Sequence, residues 1–180
     1  FEAARLLRER FFDVRVVFAA DAAALPADAA AARQRYGEAG GATLAEIPDD
    51  TPFALIIDGL FGIGLTRPPE GRYADWIASA NRLATRDRCP LLALDCPSGL
   101  DADTGRAHGH PVSASHTLTF MAGKPGLLTG DGPDHCGEIR VADLCLDLAA
   151  EIPPDGHVAD MAEFLPLLAP RAGPVIAFRA

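Results

Sequence analysis

The chain has 180 residues, of which 49% are apolar, 23% charged and 7% aromatic: material for one ordinary core, and too apolar for a disordered chain. Lys and Arg number 16 against 25 Asp and Glu, a formal charge of −9, and a surface that acidic repels a phosphate backbone, so nucleic acid is not expected as a partner. Apolar runs such as Phe53-Ala54-Leu55-Ile56-Ile57 fall far short of the ~18 residues of a membrane helix, and Phe1-Glu2-Ala3-Ala4-Arg5 lacks a signal-peptide pattern, so no membrane is expected either.

In chain order, residues 2–10 predict a helix, with Ala3, Leu6 and Leu7 on one face and charge opposite. No N-cap residue precedes it, so the sequence reads as opening inside a helix. Residues 13–18 predict a strand, and the alanine-rich stretch after Pro26 a second helix reaching Tyr36, followed by a loop carrying Gly37, Gly40 and Gly41. Residues 52–58 predict a strand buried on both faces, closed by Asp58 and followed by the glycine-punctuated loop Gly59–Pro68. Tyr73 to Leu83 predicts a helix with Ala74, Ile77, Ala78 and Ala80 on its buried side. Residues 90–95 repeat the pattern of an apolar strand closed by an aspartate, here Asp95. Residues 116–120 and 137–143 predict two more strands, and Gly130-Asp131-Gly132 reads as turn.

Five strands interleaved with helices imply an α/β fold, an open and mainly parallel sheet with helices on both faces. The tail from Glu151 is broken by Pro153, Pro154, Pro166, Pro170 and Pro174, and only 159–168 suits a short helix. Residues 151–180 therefore read as an edge segment and an interdomain linker. Cys89, Cys96, Cys136 and Cys145 include no C-x-x-C pair, which disfavours zinc and suggests reduced, structural thiols in a cytoplasmic protein.

Open α/β sheets bind ligands beyond the carboxyl ends of their strands, where Asp58 and Asp95 stand. Gly62 and Gly64 let the backbone approach a ligand, and Arg67 could contact phosphate. Ser98 near Asp95 would supply hard oxygen donors suited to a hard cation, a monovalent one included. The context Asp95-Cys96-Pro97-Ser98-Gly99 lacks the first glycine of a nucleophile elbow, which argues against a serine hydrolase. His108 and His110, in a polar glycine-containing loop, are expected in solvent, and His116 is expected to be structural. Lys124, the only lysine, lies in Gly123-Lys124-Pro125-Gly126, which lacks the phosphate-loop pattern; it reads either as a site residue or as a surface charge.

Taken together, the segments 58–68, Asp95-Cys96-Pro97-Ser98-Gly99-Leu100-Asp101 through Thr104-Gly105, Thr119-Phe120, Lys124-Pro125-Gly126 and Gly137-Glu138 resemble the NAD(P)H-hydrate epimerase domain, also the first half of bifunctional nicotinamide nucleotide repair enzymes. The resemblance spans residues 1–150 and implies a three-layer α/β/α Rossmann-like fold. It implies an isomerase of metabolite repair that interconverts the R and S epimers of hydrated NADH or NADPH. On it, Asp58 and Ser98 match the potassium ligands, and Gly62, Ile63, Gly64, Leu65, Thr66, Arg67 and Pro68 match the substrate loop. Asp95 matches the substrate-binding carboxylate expected to act in catalysis, and Asp58 and Asp95 are expected to face one polar cleft. A homodimer is also implied, as is a following ADP-dependent dehydratase domain in bifunctional members, whose connection the proline-broken tail resembles. The family's Asn-Asn-Gly-Gly-Asp-Gly loop would precede the first helix, so the domain is expected to be N-terminally incomplete, and the resemblance speaks for a parent activity more than for that of these residues alone. The alternative reading is a noncatalytic nucleotide-binding or interaction domain on the same fold.

Overall fold

Pro90 decides where the central sheet begins. It has no N–H to give a ladder, and the parallel pairing of β3 (Ile56–Asp58) with β4 (Leu91–Leu94) starts immediately after it, Ile56 opposite Leu91 and the Ile56 N–H donating to the Pro90 carbonyl at 3.0 Å. The strand expected over 52–58 is therefore only three residues long. Upstream, the Phe53 N–H is taken by Asp87 Oδ2 at 2.9 Å, which holds that part of the chain against a helix end instead of the sheet.

The computed structural model describes residues 1–18, 20–146, 152–154, 156–159 and 161–167. Along them run α1 (Glu2–Glu9), β1 (Val16–Val17), α2 (Ala27–Glu38), β2 (Thr43–Leu44), β3, α3 (Arg72–Asp87), β4, β5 (His116–Phe120), α4 (Gly132–His135), β6 (Glu138–Ala142) and α5 (Met161–Phe164). Strands β3, β4, β5 and β6 lie side by side in that order, every pair parallel, so their carboxyl ends share one edge. This is a parallel sheet flanked by helices, the Rossmann-like α/β/α arrangement.

The first expected strand does not join that sheet. Only Val16 and Val17 of 13–18 pair, in a separate parallel ribbon with Thr43 and Leu44, a strand too short to leave any periodicity in the sequence. Gly37, expected in a loop, lies in the last turn of α2. Helix α3 runs four residues past its expected end because Ala84 still packs on the core, and it stops at Arg88, whose φ of 52° is left-handed. Its buried side is Trp76, Ile77, Ala80 and Leu83; Ala78 is exposed.

Two apolar clusters hold the sheet. Ile77 and Ala80 of α3 meet Leu91 and Ala93, the alternate residues of β4, together with Val112 and Ala114. Cys96, Leu100, Ala102, Leu127 and Cys136 form the second, beneath the loops that follow β4 and β5. Full burial of a side chain such as Leu91 is worth about 1.5–3 kcal/mol.

Phe1–Leu144 makes one compact unit and Cys145–Ala180 a second. In the second, α5 and a 3-10 turn over Leu165–Leu167 make up the described helical part of the helix expected over 159–168, of which residues 160 and 168, with Pro170 and Pro174, lie outside the described residues. No helix among the described residues is long and apolar enough to cross a membrane.

Candidate active site

Asp58 closes β3 and is 5% exposed, deep for a carboxylate. Its Oδ1 accepts from the Leu60 N–H at 3.2 Å and the Ser98 hydroxyl at 2.7 Å, and its Oδ2 from the Ser98 N–H at 2.8 Å. Burial raises its pKa, and the Ser98 hydroxyl and the Ser98 and Leu60 amides oppose that shift. The Ser98 hydroxyl also accepts from the Phe61 N–H at 3.0 Å and lies 3.5 Å from the Phe61 carbonyl. A carboxylate, a hydroxyl and a backbone carbonyl thus stand together, all hard oxygen donors. Among the described residues no group of three or more His, Cys, Asp or Glu could hold a metal ion, so any cation here would rely on this mixed oxygen set.

Asp95 follows β4 in a left-handed conformation, φ 71°. The Cys96 N–H donates across it to the Leu94 carbonyl at 3.0 Å, a three-residue turn that costs about 1–3 kcal/mol for a residue other than glycine and lifts the side chain off the strand end. Lys124 donates to Asp95 Oδ1 at 2.7 Å, and the side chains are 17% and 22% exposed. Asp95 Oδ2 faces the glycine loop: a Cβ on Gly62 would stand 3.3 Å from it.

That loop encloses an open concavity of about 390 Å³ lined by Leu60, Phe61, Gly62, Gly64, Leu65, Thr66 and Arg67. Phe61 anchors it, edge-on to Tyr73 at 5.3 Å between ring centres, and Tyr73 in turn meets Trp76 at 5.6 Å, which ties the loop to α3. Of the seven residues expected in the substrate loop, five line the concavity; Ile63 and Pro68 are exposed and do not. Neither Asp58 nor Asp95, expected on opposite walls of one polar cleft, is among the residues that line this concavity. Asp58 is buried beneath the loop with its oxygens occupied, and Asp95 meets the loop at Gly62. The link between them is the chain Leu60-Phe61-Gly62, bonded to Asp58 and Ser98 at one end and close to Asp95 at the other.

The sequence did not assign Lys124 or Thr119 to the site. Lys124 and Asp95 are 29 residues apart, and nothing in spacing announces the pair. The available signals were the segments Thr119-Phe120 and Lys124-Pro125-Gly126, which carry the family resemblance, and the scarcity of lysine, which left Lys124 open between a site residue and a surface charge. Other parts of the same motifs are architectural. Asp101 Oδ1 accepts from the Thr104 N–H and hydroxyl, both at 2.8 Å, and these bonds hold the carboxyl below its ordinary range. His108 is not solvated: its side chain is 15% exposed, and Nε2 lies 3.6 Å from Asp101 Oδ2. His116 begins β5 and is half exposed, beside the Ser115 hydroxyl at 2.9 Å. Cys96, just after Asp95, is pushed up to about 12 by burial first and by Cys136 and the nearby carboxylates next, so it offers no thiolate nucleophile.

Comparison with known proteins gives a consistent result. Residues 1–126 match the family model described as "YjeF-related protein N-terminus". The chain is 46% identical over 144 residues to an NAD(P)H-hydrate epimerase of Achromobacter xylosoxidans (strain A8), an alignment covering 79% of this chain and 67% of that protein. It is 42% identical over 130 residues to a bifunctional NAD(P)H-hydrate repair enzyme of Leishmania major, with 68% of this chain aligned but only 22% of the longer protein. Among solved structures, the crystal structure of yeast ynu0 shares the fold with a TM-score of 0.67 at 15% identity, over 87% of this chain and 67% of that one.

Proposed function

This chain belongs to the NAD(P)H-hydrate epimerase family, and we propose on that premise that it equilibrates the R and S epimers of hydrated NADH and NADPH, with Asp95 as the catalytic carboxyl group. We place the epimerase domain at residues 1–150 and read 151–180 as an edge segment leading to a linker. The hydrate carries a hydroxyl on the carbon beside the ring nitrogen. That nitrogen lends its lone pair to the carbon as the C–O bond breaks, and a proton from Asp95 lets the hydroxyl leave as water. Water then adds to the opposite face and releases its proton to solvent while Asp95 regains one from solvent, so atoms and electrons balance and only the configuration has changed. The observation that carries this reading is the placement of Asp95 at a strand's carboxyl end, with one oxygen bonded to Lys124 and the other facing Gly62 of the loop concavity.

Gly62 through Pro68 would receive the dinucleotide, Arg67 meeting phosphate. Asp58 and Ser98, with the Phe61 carbonyl beside them, suit a potassium ion. Asp58 is a buried carboxylate with three donors from Ser98 and Leu60 and none from lysine or arginine among the described residues. Bound there, the ion would supply the positive charge that steadies Asp58 and the anionic substrate. From the resemblance we further propose a cytoplasmic homodimer and, in the parent chain, a following ADP-dependent dehydratase domain; the similarity to a bifunctional NAD(P)H-hydrate repair enzyme supports a second, linked activity.

The test follows the approach of separated R and S hydrates to equilibrium with the full chain present. Faster exchange is expected, greatly reduced in Asp95→Asn with the melting temperature retained. Ser98→Ala should weaken the response to potassium more than the fold. Hydrate binding with no acceleration of exchange would overturn the enzymatic reading in favour of a noncatalytic binding domain, and full activity in Asp95→Asn would remove Asp95 from its role.

A further inference from the structure

We infer that Lys124 is the positioning residue of this site: its ammonium locks Oδ1 of Asp95 and leaves Oδ2 as the one carboxylate oxygen free to meet substrate. The inference rests on the epimerase reading, which makes Asp95 the proton carrier.

Lys124 Nζ lies 2.7 Å from each of three acceptors, Asp95 Oδ1, the Thr119 hydroxyl and the Phe120 carbonyl. An ammonium has three N–H bonds, and all three are spent within the protein. Lys124 therefore has no donor left for substrate and acts through Asp95. Thr119, fully buried, donates its hydroxyl to the same Oδ1 at 3.3 Å, and the Phe120 N–H points to it at 3.5 Å. Three donors converge on one oxygen. Among the described residues Oδ2 makes no hydrogen bond, and it faces Gly62. An unrestrained carboxylate exchanges its two oxygens by turning about χ2, a broad and roughly two-fold torsion. Here the three donors fix the plane of the carboxylate, and a half-turn only exchanges equivalent oxygens, so one oxygen always faces Gly62 and the proton is handled in a single place.

The backbone is shaped for this pair. Strand β5 ends as β4 does: the Ala122 N–H donates to the Phe120 carbonyl at 2.8 Å across Met121, whose φ of 68° matches the 71° of Asp95. Two neighbouring strands thus finish in the same uncommon turn. The second folds the chain back so that the side chain of Lys124 reaches the end of its own strand and the aspartate beside it. Lysine suits the position because its ammonium is a compact point with donors in three directions, whereas the guanidinium of arginine is a flat fork.

The experiment measures kcat and KM for epimer exchange in the full chain and in Lys124→Met, which keeps the stem and removes the ammonium, in Asp95→Asn, and in the double variant, with melting temperatures alongside. Lys124→Met is expected to lower kcat about 100-fold with KM within about threefold. In the Asp95→Asn background the same change should cost at most about threefold more, because the two residues act as a unit. Thr119→Val, which removes one donor and keeps the shape, should lower kcat about tenfold and serves if Lys124→Met does not fold. A raised KM with unchanged kcat, or fully multiplicative losses in the double variant, would overturn the assignment. If the wild type accelerates exchange and Lys124→Met and Thr119→Val match it, the lysine assignment alone falls; if the wild type accelerates nothing, the epimerase reading falls first and takes this one with it.

Discussion

Asp58 and Ser98, 40 residues apart in the chain, are bonded twice: the Ser98 amide reaches one oxygen of the Asp58 carboxylate at 2.8 Å and the Ser98 hydroxyl reaches the other at 2.7 Å. The contact ties the loop after β4 to the end of β3, and the Phe61 amide bonded to the same hydroxyl brings the glycine loop into the tie. A buried, uncompensated carboxylate is a costly tie, and that cost can be measured.

Burial holds the Asp58 carboxyl above its ordinary value of 3.8, so the folded chain grips this proton more tightly than the unfolded one. The contribution to stability is full below the ordinary value and is lost as pH rises through the raised one. With tetramethylammonium as the only cation, the melting temperature should fall more steeply in the wild type than in Asp58→Asn as pH rises above the ordinary carboxyl value of 3.8. Potassium should recover the difference in the wild type only, since it binds the folded site with Asp58 ionised and not the protonated one. Identical pH profiles for the two proteins in both salts would contradict the burial argument.

Gly62 is the loop's point of approach to the free oxygen of Asp95, and a methyl group there would stand 3.3 Å from it. Gly62→Ala should lower kcat/KM for exchange about tenfold by displacing that oxygen, and leave the melting temperature within about 2 °C. Unaltered exchange would show that the approach has no functional consequence.

The motif glycines further along have a different task. A Cβ on Gly126 would fall 2.2 Å from the Asp101 carbonyl, and one on Gly132 would fall 2.1 Å from the carbonyl of Gly126 itself. Three backbone segments pack there with no room for a side chain. Gly126→Ala should therefore cost about 3 kcal/mol or more in urea unfolding. A midpoint equal to that of the wild type would mean the segments separate freely.

Gly37 lies inside α2 with nothing within 4 Å of where its Cβ would sit. Alanine there should gain about 0.5–1 kcal/mol by narrowing the unfolded ensemble and favouring helix, and exchange should not change. A fall in the unfolding midpoint would count against the helical assignment of this turn.

Three of the four thiols, Cys96, Cys136 and Cys145, should separate cleanly in a maleimide titration near pH 8. Cys145 is exposed and should label first; Cys96 and Cys136 are buried, with pKa values pushed up to about 12 and about 11 by desolvation, and should label only on unfolding. Rapid native labelling of Cys136 would show that the second apolar cluster opens.

Parallel strands buried on both faces announce themselves as apolar runs, and their carboxyl ends are marked where the run stops at a charged residue. For that reason β4 and both aspartates at the sheet edge were legible from the sequence alone; β5 and β6, which mix polar with β-branched and aromatic residues, were read from that residue content, and with them came the class of the fold and the motif order that leads to the family. Strand lengths were not: β3 is cut short by Pro90 on its neighbour, and β1 and β2 exist only through each other. The site followed the same division. Residue type and local order told which side chains could carry a charge or close a turn. That Asp58 is sealed beneath the loop while Asp95 stays at its surface, and that the only lysine pins one oxygen of that aspartate, was decided by tertiary structure. Burial and pairing depend on what lies across the sheet, and a linear sequence carries no record of distance across a fold.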